Sequence, residues 1–111
     1  MVRPTKFEIT EAIRDGSPVL SVAGELDLST APELAQRVES KVSEDLTTLT
    51  IDLGNLTFMD SSGLRLLIEL NQRSGRESWR LTLLSSKHES ARTVLRLTGA
   101  DVALPFEDSP V

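Results

Sequence analysis

The sequence predicts an α/β fold, a single mixed sheet of four to five strands with its helices mainly on one face. Three observations predict it. Several short runs alternate apolar and polar residues at period two, the mark of a strand. Other segments repeat apolar residues at three- and four-residue spacing, the mark of an amphipathic helix. The two patterns take turns along the chain, which implies parallel strands joined by right-handed helical crossovers. The order reads β-β-α-β-α-β-α-β.

Each element has its own signal. "KFEITEAI" alternates Phe7, Ile9 and Ile13 with polar residues, and "PVLSVAGEL" alternates Val19 or Leu20 with Val22. Between them "RDGS", Arg14 to Ser17, carries Asp-Gly, a strong hairpin signal, so the chain opens with an antiparallel pair. A helix follows in "DLSTAPELAQRVESKV". Ser29 or Thr30 caps it, Pro32 sits in the first turn and Glu33 meets the positive helix end. Leu34, Val38 and Val42, with Ala31 and Ala35, form its apolar stripe. "LTIDLGNLTFM" alternates Leu49, Ile51 and Leu53, a strand expected to end near Leu53. The second helix, in "SGLRLLIELNQRSG", places Leu64, Leu67, Ile68 and Asn71 on one face and stops at Gly75. "WRLTLLS" is a strand. "KHESARTVLRLTGA" is a shorter helix with Ala91, Val94 and Leu95 inward and Gly99 at its end. "DVALPFED" reads as a last short edge strand, and the tail "EDSPV" is expected to fray.

Composition narrows the class. The chain's 111 residues fit one domain, 1–111, with a core over about 7–106. Aromatics are only 4%, so Leu, Val, Ile and Ala must fill the interior. No apolar run approaches the roughly 18 residues of a membrane span, and "MVRPTKFEIT" lacks the apolar block of a secretory signal. With no cysteine there is neither a disulfide nor a thiolate nucleophile, and the expected setting is cytoplasmic. Twelve basic residues are scattered among 17 acidic ones, a net charge of −5, which disfavours direct nucleic-acid binding. No metal site and no cofactor are expected.

The chemistry-bearing residues gather at two strand-to-helix junctions, "GELDLST" and "FMDSSGL". In a parallel α/β layer such junctions share the edge where ligands and partners bind. Glu25, Asp27, Asp60, Ser61 and Ser62 would then form one acidic, hydroxyl-rich patch. Asp60, Ser61 and Ser62 are each good helix caps, and capping is the plainest use of them. Gly63 goes further. A glycine in a first helical turn costs about 0.5–1 kcal/mol relative to alanine, and it clears space beside the serines for a close contact. A nucleophilic serine would need a base, and the sole histidine, His88, opens the third helix. However, Met59 stands where a nucleophile elbow has its first glycine, and no phosphate-cradling loop occurs.

"GELDLSTAPEL", followed by "IDLGNLTFMDSSGLRLLIEL", resembles the STAS-domain anti-sigma factor antagonists, the bacterial anti-anti-sigma factors. The resemblance extends by element order from about Phe7 to Phe106 and includes "LRLTGADVALPFED". It implies a non-enzymatic binding protein acting in transcription regulation by partner switching. The unphosphorylated form would bind an anti-sigma factor that is also a serine kinase, freeing the sigma factor. Phosphorylation of the serine after the aspartate, here Ser61 with Ser62 as second choice, would release the partner. A PP2C-like phosphatase would reset it. By motif position the partner-binding residues are Gly24, Glu25, Leu26, Asp27, Asp60, Ser61, Ser62, Gly63, Leu64 and Arg65. Arg65 departs from the family pattern, which often has a small residue there. A monomer or weak dimer is expected. The rival readings are a non-switching STAS subunit of a signalling complex or transporter, and a small serine hydrolase using Ser61 and His88.

Overall fold

The computed structural model describes residues 6–107. Strands β1 (Glu8–Arg14) and β2 (Ser17–Leu26) lead into helix α1 (Ala31–Val42). Strand β3 (Thr48–Met59), helix α2 (Ser61–Glu77) and strand β4 (Arg80–Leu84) follow. Helices α3 (Glu89–Leu97) and α4 (Ala100–Ala103) close the series. The sheet order is β1-β2-β3-β4. The β1–β2 pair is antiparallel, while β2–β3 and β3–β4 are parallel. The hairpin turns where Asp15 (φ 54°) and Gly16 (φ 81°) both take left-handed backbone, as the predicted Asp-Gly turn requires.

One face of the sheet is apolar. Leu20, Val22 and Leu26 of β2, Leu49, Ile51, Leu53, Leu56 and Met59 of β3, and Leu81 and Leu83 of β4 are buried there. They share one core with Leu34 and Val38 of α1, Leu67 and Leu70 of α2, and Ala91 and Leu95 of α3. The alternate strand positions pair small or polar residues: Thr10 with Ser21, Ser21 with Asp52, Thr50 with Thr82. The helices therefore lie mainly against one face and leave the other polar.

Four features differ from expectation. Strand β3 does not end near Leu53 but continues to Met59. Its buried residues after Leu53 come at three-residue spacing, which breaks period two. Two register shifts against β2 absorb the difference: Asp52 to Asn55 spans Ser21 to Ala23, and Leu56 to Phe58 spans Gly24 to Glu25. Each adds one residue to β3, a bulge that returns the next apolar side chain to the core. Helix α2 passes Gly75 and ends at Ser78, whose left-handed backbone (φ 64°) serves as the cap. Its buried face is Gly63, Leu67, Leu70 and Ser74, whereas Ile68 is exposed; the stripe is rotated from the one predicted. The expected last strand is instead α4, begun by Gly99 in left-handed conformation, and only Phe106 bridges to Leu83. Pro105 has no N–H to extend a ladder, so the sheet stops at four strands. The fraying expected of "EDSPV" concerns mainly residues 108–111, outside the described residues. Among the described residues no helix is long and apolar enough to cross a membrane.

Candidate functional site

The two junctions meet, as the topology predicted. Parallel pairing brings Leu26 beside Met59, and the Asp60 N–H donates to the Leu26 carbonyl at 3.2 Å. The last residue of β2 thus fixes the residue that starts α2. Gly63 makes this approach possible. A Cβ on Gly63 would lie 2.8 Å from both the Leu26 Cγ and carbonyl oxygen and 2.9 Å from the Met59 Cγ. Gly24 has φ +98°, and a Cβ there would sit 2.7 Å from the Lys6 carbonyl oxygen.

Asp60 is the cap of α2. Its Oδ1 accepts the N–H groups of Ser62 at 2.8 Å and Gly63 at 3.2 Å. This satisfies two of the donors a helix start leaves open. Ser61, the first helical residue, is exposed, whereas Ser62 is half-buried. Asp27 organises the other junction. Its Oδ1 accepts from the Ser29 N–H (3.0 Å), the Ser29 hydroxyl (2.8 Å) and the Thr30 N–H (3.1 Å). The Thr30 hydroxyl donates to the Glu25 carbonyl at 2.7 Å, binding the loop to the strand end. The Ser29 hydroxyl, and then Thr30, hold the Asp27 carboxyl below its ordinary value against the opposing effect of burial. The loop is rigidly bonded and keeps its charge.

Between the junctions runs a groove of about 340 Å³. Leu28 and, on α1, Ala31, Pro32 and Ala35 form one wall. Ser61, Ser62, Arg65 and Glu69 line it from α2. Leu28 is 76% exposed and Phe58, at the end of β3, 42% exposed.

The predicted site residues divide by exposure. Glu25, Ser61 and Arg65 are exposed; Asp27, Asp60, Ser62 and Leu64 are half-buried. Gly24, Leu26 and Gly63 are buried, so they position the surface and offer no side chain to it. Sequence reasoning missed Leu28, Pro32 and Phe58 as surface elements. Leu28 could have been found, since it is apolar yet precedes the α1 stripe. His88 caps α3 without a side-chain bond, its N–H donating to the Ser86 hydroxyl at 2.9 Å. Among the described residues no hydrogen bond joins His88 to Ser61. No cluster of three or more His, Cys, Asp or Glu suited to a metal occurs among them either.

A sheet opened by an antiparallel hairpin, with an aspartate-capped serine helix start held against an acidic loop, defines a STAS-type domain. The chain belongs to the STAS domain family: the family model described as "Mlab, STAS domain" matches residues 9–105. It is 36% identical over 75 residues to the anti-sigma-F factor antagonist RsfB of Mycobacterium tuberculosis, a match that covers 68% of this chain. The same match spans 62% of the length of that relative, less than two thirds. An anti-sigma factor antagonist from Mycobacterium paratuberculosis superposes with a TM-score of 0.81 at 29% identity, covering 98% of this chain and 92% of that one. The anti-sigma factor antagonist SpoIIAA in its unphosphorylated form has the same fold, with a TM-score of 0.72 at 22% identity over 95% of this chain and 89% of that one.

Proposed function

We propose that this protein is an anti-sigma factor antagonist whose binding is switched by phosphorylation of Ser61. The observation that carries the reading is the state of the two serines. Ser61 is exposed and lines the groove, while Ser62 beside it is half-buried. Asp60 and Asp27 are engaged in holding the two loops, so neither is the free base a nucleophilic serine needs. Membership of the STAS family and the likeness to the mycobacterial antagonists support the same reading.

The unphosphorylated surface binds an anti-sigma factor with serine-kinase activity, releasing its sigma factor. Glu25, Asp27 and the exposed start of α2 supply the polar contacts, and Leu28 the apolar one. ATP-dependent phosphorylation of Ser61 adds about −1.5 to −2 charges. The helix macrodipole favours an anion at this end by typically 0.3–1 kcal/mol, so α2 stays folded. The interface does not survive, because burying an uncompensated dianion beside Asp27 and Asp60 is very unfavourable. A PP2C-like phosphatase restores the binding form. The protein itself is a binding module and not an enzyme.

The test is intact mass after incubation with candidate anti-sigma kinases and ATP, followed by fragmentation. One phosphate on Ser61, abolished by Ser61→Ala, is the expected result. Stoichiometric phosphate on the Ser61→Ala chain would move the acceptor, to Ser62 first.

A further inference from the structure

Among the described residues Arg65 is the one cation lining this groove, and of the helix arginines only it and Arg76, which lies outside the groove, make no ion pair. Arg37 pairs with Glu11, Arg73 with Glu39 and Glu77, and Arg92 and Arg96 with Glu89. Arg65 makes no ion pair among the described residues, although Glu69 lies four residues on and lines the same groove. Two acidic groups of the junctions are committed elsewhere: Asp60 Oδ1 to two backbone N–H groups, Asp27 Oδ1 to Ser29 and Thr30. In a chain of net charge −5, an arginine is thus held open at the groove.

The spacing says what it is open for. Residues four apart on a helix have Cβ atoms about 5–6 Å from each other, so Ser61 and Arg65 are neighbours along one face. Both line the groove, opposite the apolar wall of Leu28, Ala31, Pro32 and Ala35. A guanidinium presents its donors in a planar fork that matches phosphate oxygens, which a lysine does not reproduce.

We infer that Arg65 is an intramolecular latch: its guanidinium closes on the phosphate of Ser61 and seals the groove between α1 and α2. The inference rests on phosphorylation at Ser61 as proposed above. One guanidinium offsets only part of a phosphate charge of about −1.5 to −2, so the excess negative charge still opposes binding and the latch adds a steric cause of release. The phosphate and its arginine together occupy the space that a partner side chain needs, and they shield the phosphate from water.

The experiment uses the full chain carrying phosphoserine installed at position 61 during synthesis, so it needs no kinase. A failed kinase assay therefore leaves its outcome standing. Phosphorus NMR across pH reads the second phosphate pKa in the wild type and in Arg65→Gln, Arg65→Lys. An adjacent cation favours the dianion, so the wild-type value should lie about one unit below that of Arg65→Gln, with Arg65→Lys between. Methyl shifts of Ala31 and Ala35 should change on phosphorylation in the wild type and much less in Arg65→Gln. Equal pKa values in wild type and Arg65→Gln would overturn the latch. Arg65 is exposed, so the unmodified Arg65→Gln chain should unfold at the wild-type temperature; a lower one would assign Arg65 to the fold instead.

Discussion

Gly63, next to the two serines, carries the close packing of the junction. Gly63 lets the start of α2 rest on Leu26 and Met59, atoms that a Cβ would approach within 3 Å. Gly63→Ala should destabilise the chain by about 1–3 kcal/mol, the usual cost of overpacking, as measured by urea denaturation. Asp60→Ala should cost about 1 kcal/mol through loss of the cap. An unchanged urea midpoint in both variants would remove the structural basis for a rigid junction. At this scale the sequence was informative: Gly63 as a point of close approach was legible, and Asp60 was one of three residues, with Ser61 and Ser62, that the sequence offered as caps. Ser61 and Ser62 were not distinguishable as side chains. Their difference in exposure is a matter of tertiary packing, which no local pattern encodes.

Elements were legible wherever their periodicity ran unbroken. The Asp-Gly hairpin and the α1 stripe of Leu34 and Val38 follow from spacing alone. Strand β3 did not, because its two bulges change the spacing of buried residues from two to three. Glycine is the usual residue at a helix stop, yet α2 runs through Gly75 and Ser78 supplies the left-handed residue. Serine resists that conformation, so Ser78→Gly should raise stability by up to about 1 kcal/mol, seen as a higher melting temperature. Ion pairs tie the elements to each other. Glu11 of β1 meets Arg37 and Lys41 of α1, and Arg73 of α2 meets Glu39 of α1. Lys41, by its hydrogen bond first, holds the Glu11 carboxyl below its ordinary 4.5, and Arg73 does the same for Glu39 and Glu77. A carboxyl whose folded value is depressed contributes stability that is present above its unfolded value and is lost as pH falls through the folded one. The urea midpoint should therefore fall on acidification below about pH 4.5, and fall less steeply in Glu11→Gln. These pairs are solvent-facing, so added salt should weaken the dependence.

The whole molecule is one sheet-and-helix layer that presents both junctions on one edge. Its core joins residues of all four helices to one sheet face, and both junctions hang from the adjacent strand ends of β2 and β3. A phosphate on Ser61 should therefore change the surface and leave the fold in place. Circular dichroism and melting of the Ser61-phosphorylated chain should match those of the unmodified one. Ser61→Asp should weaken partner binding less than phosphate does, because a carboxylate carries less charge and fewer acceptor oxygens. The sheet-edge location of the site was legible from the alternation of strands and helices. The groove was not, since its apolar wall comes from α1 and the loop before it.

The most direct test is the affinity of the anti-sigma factor for the unmodified and the Ser61-phosphorylated chain, measured side by side by titration calorimetry. The account predicts tight binding of the unmodified chain and a loss of at least about a hundredfold on phosphorylation, the scale of a charge buried without compensation. Equal affinity for the two forms would contradict it and leave a STAS domain that binds without switching.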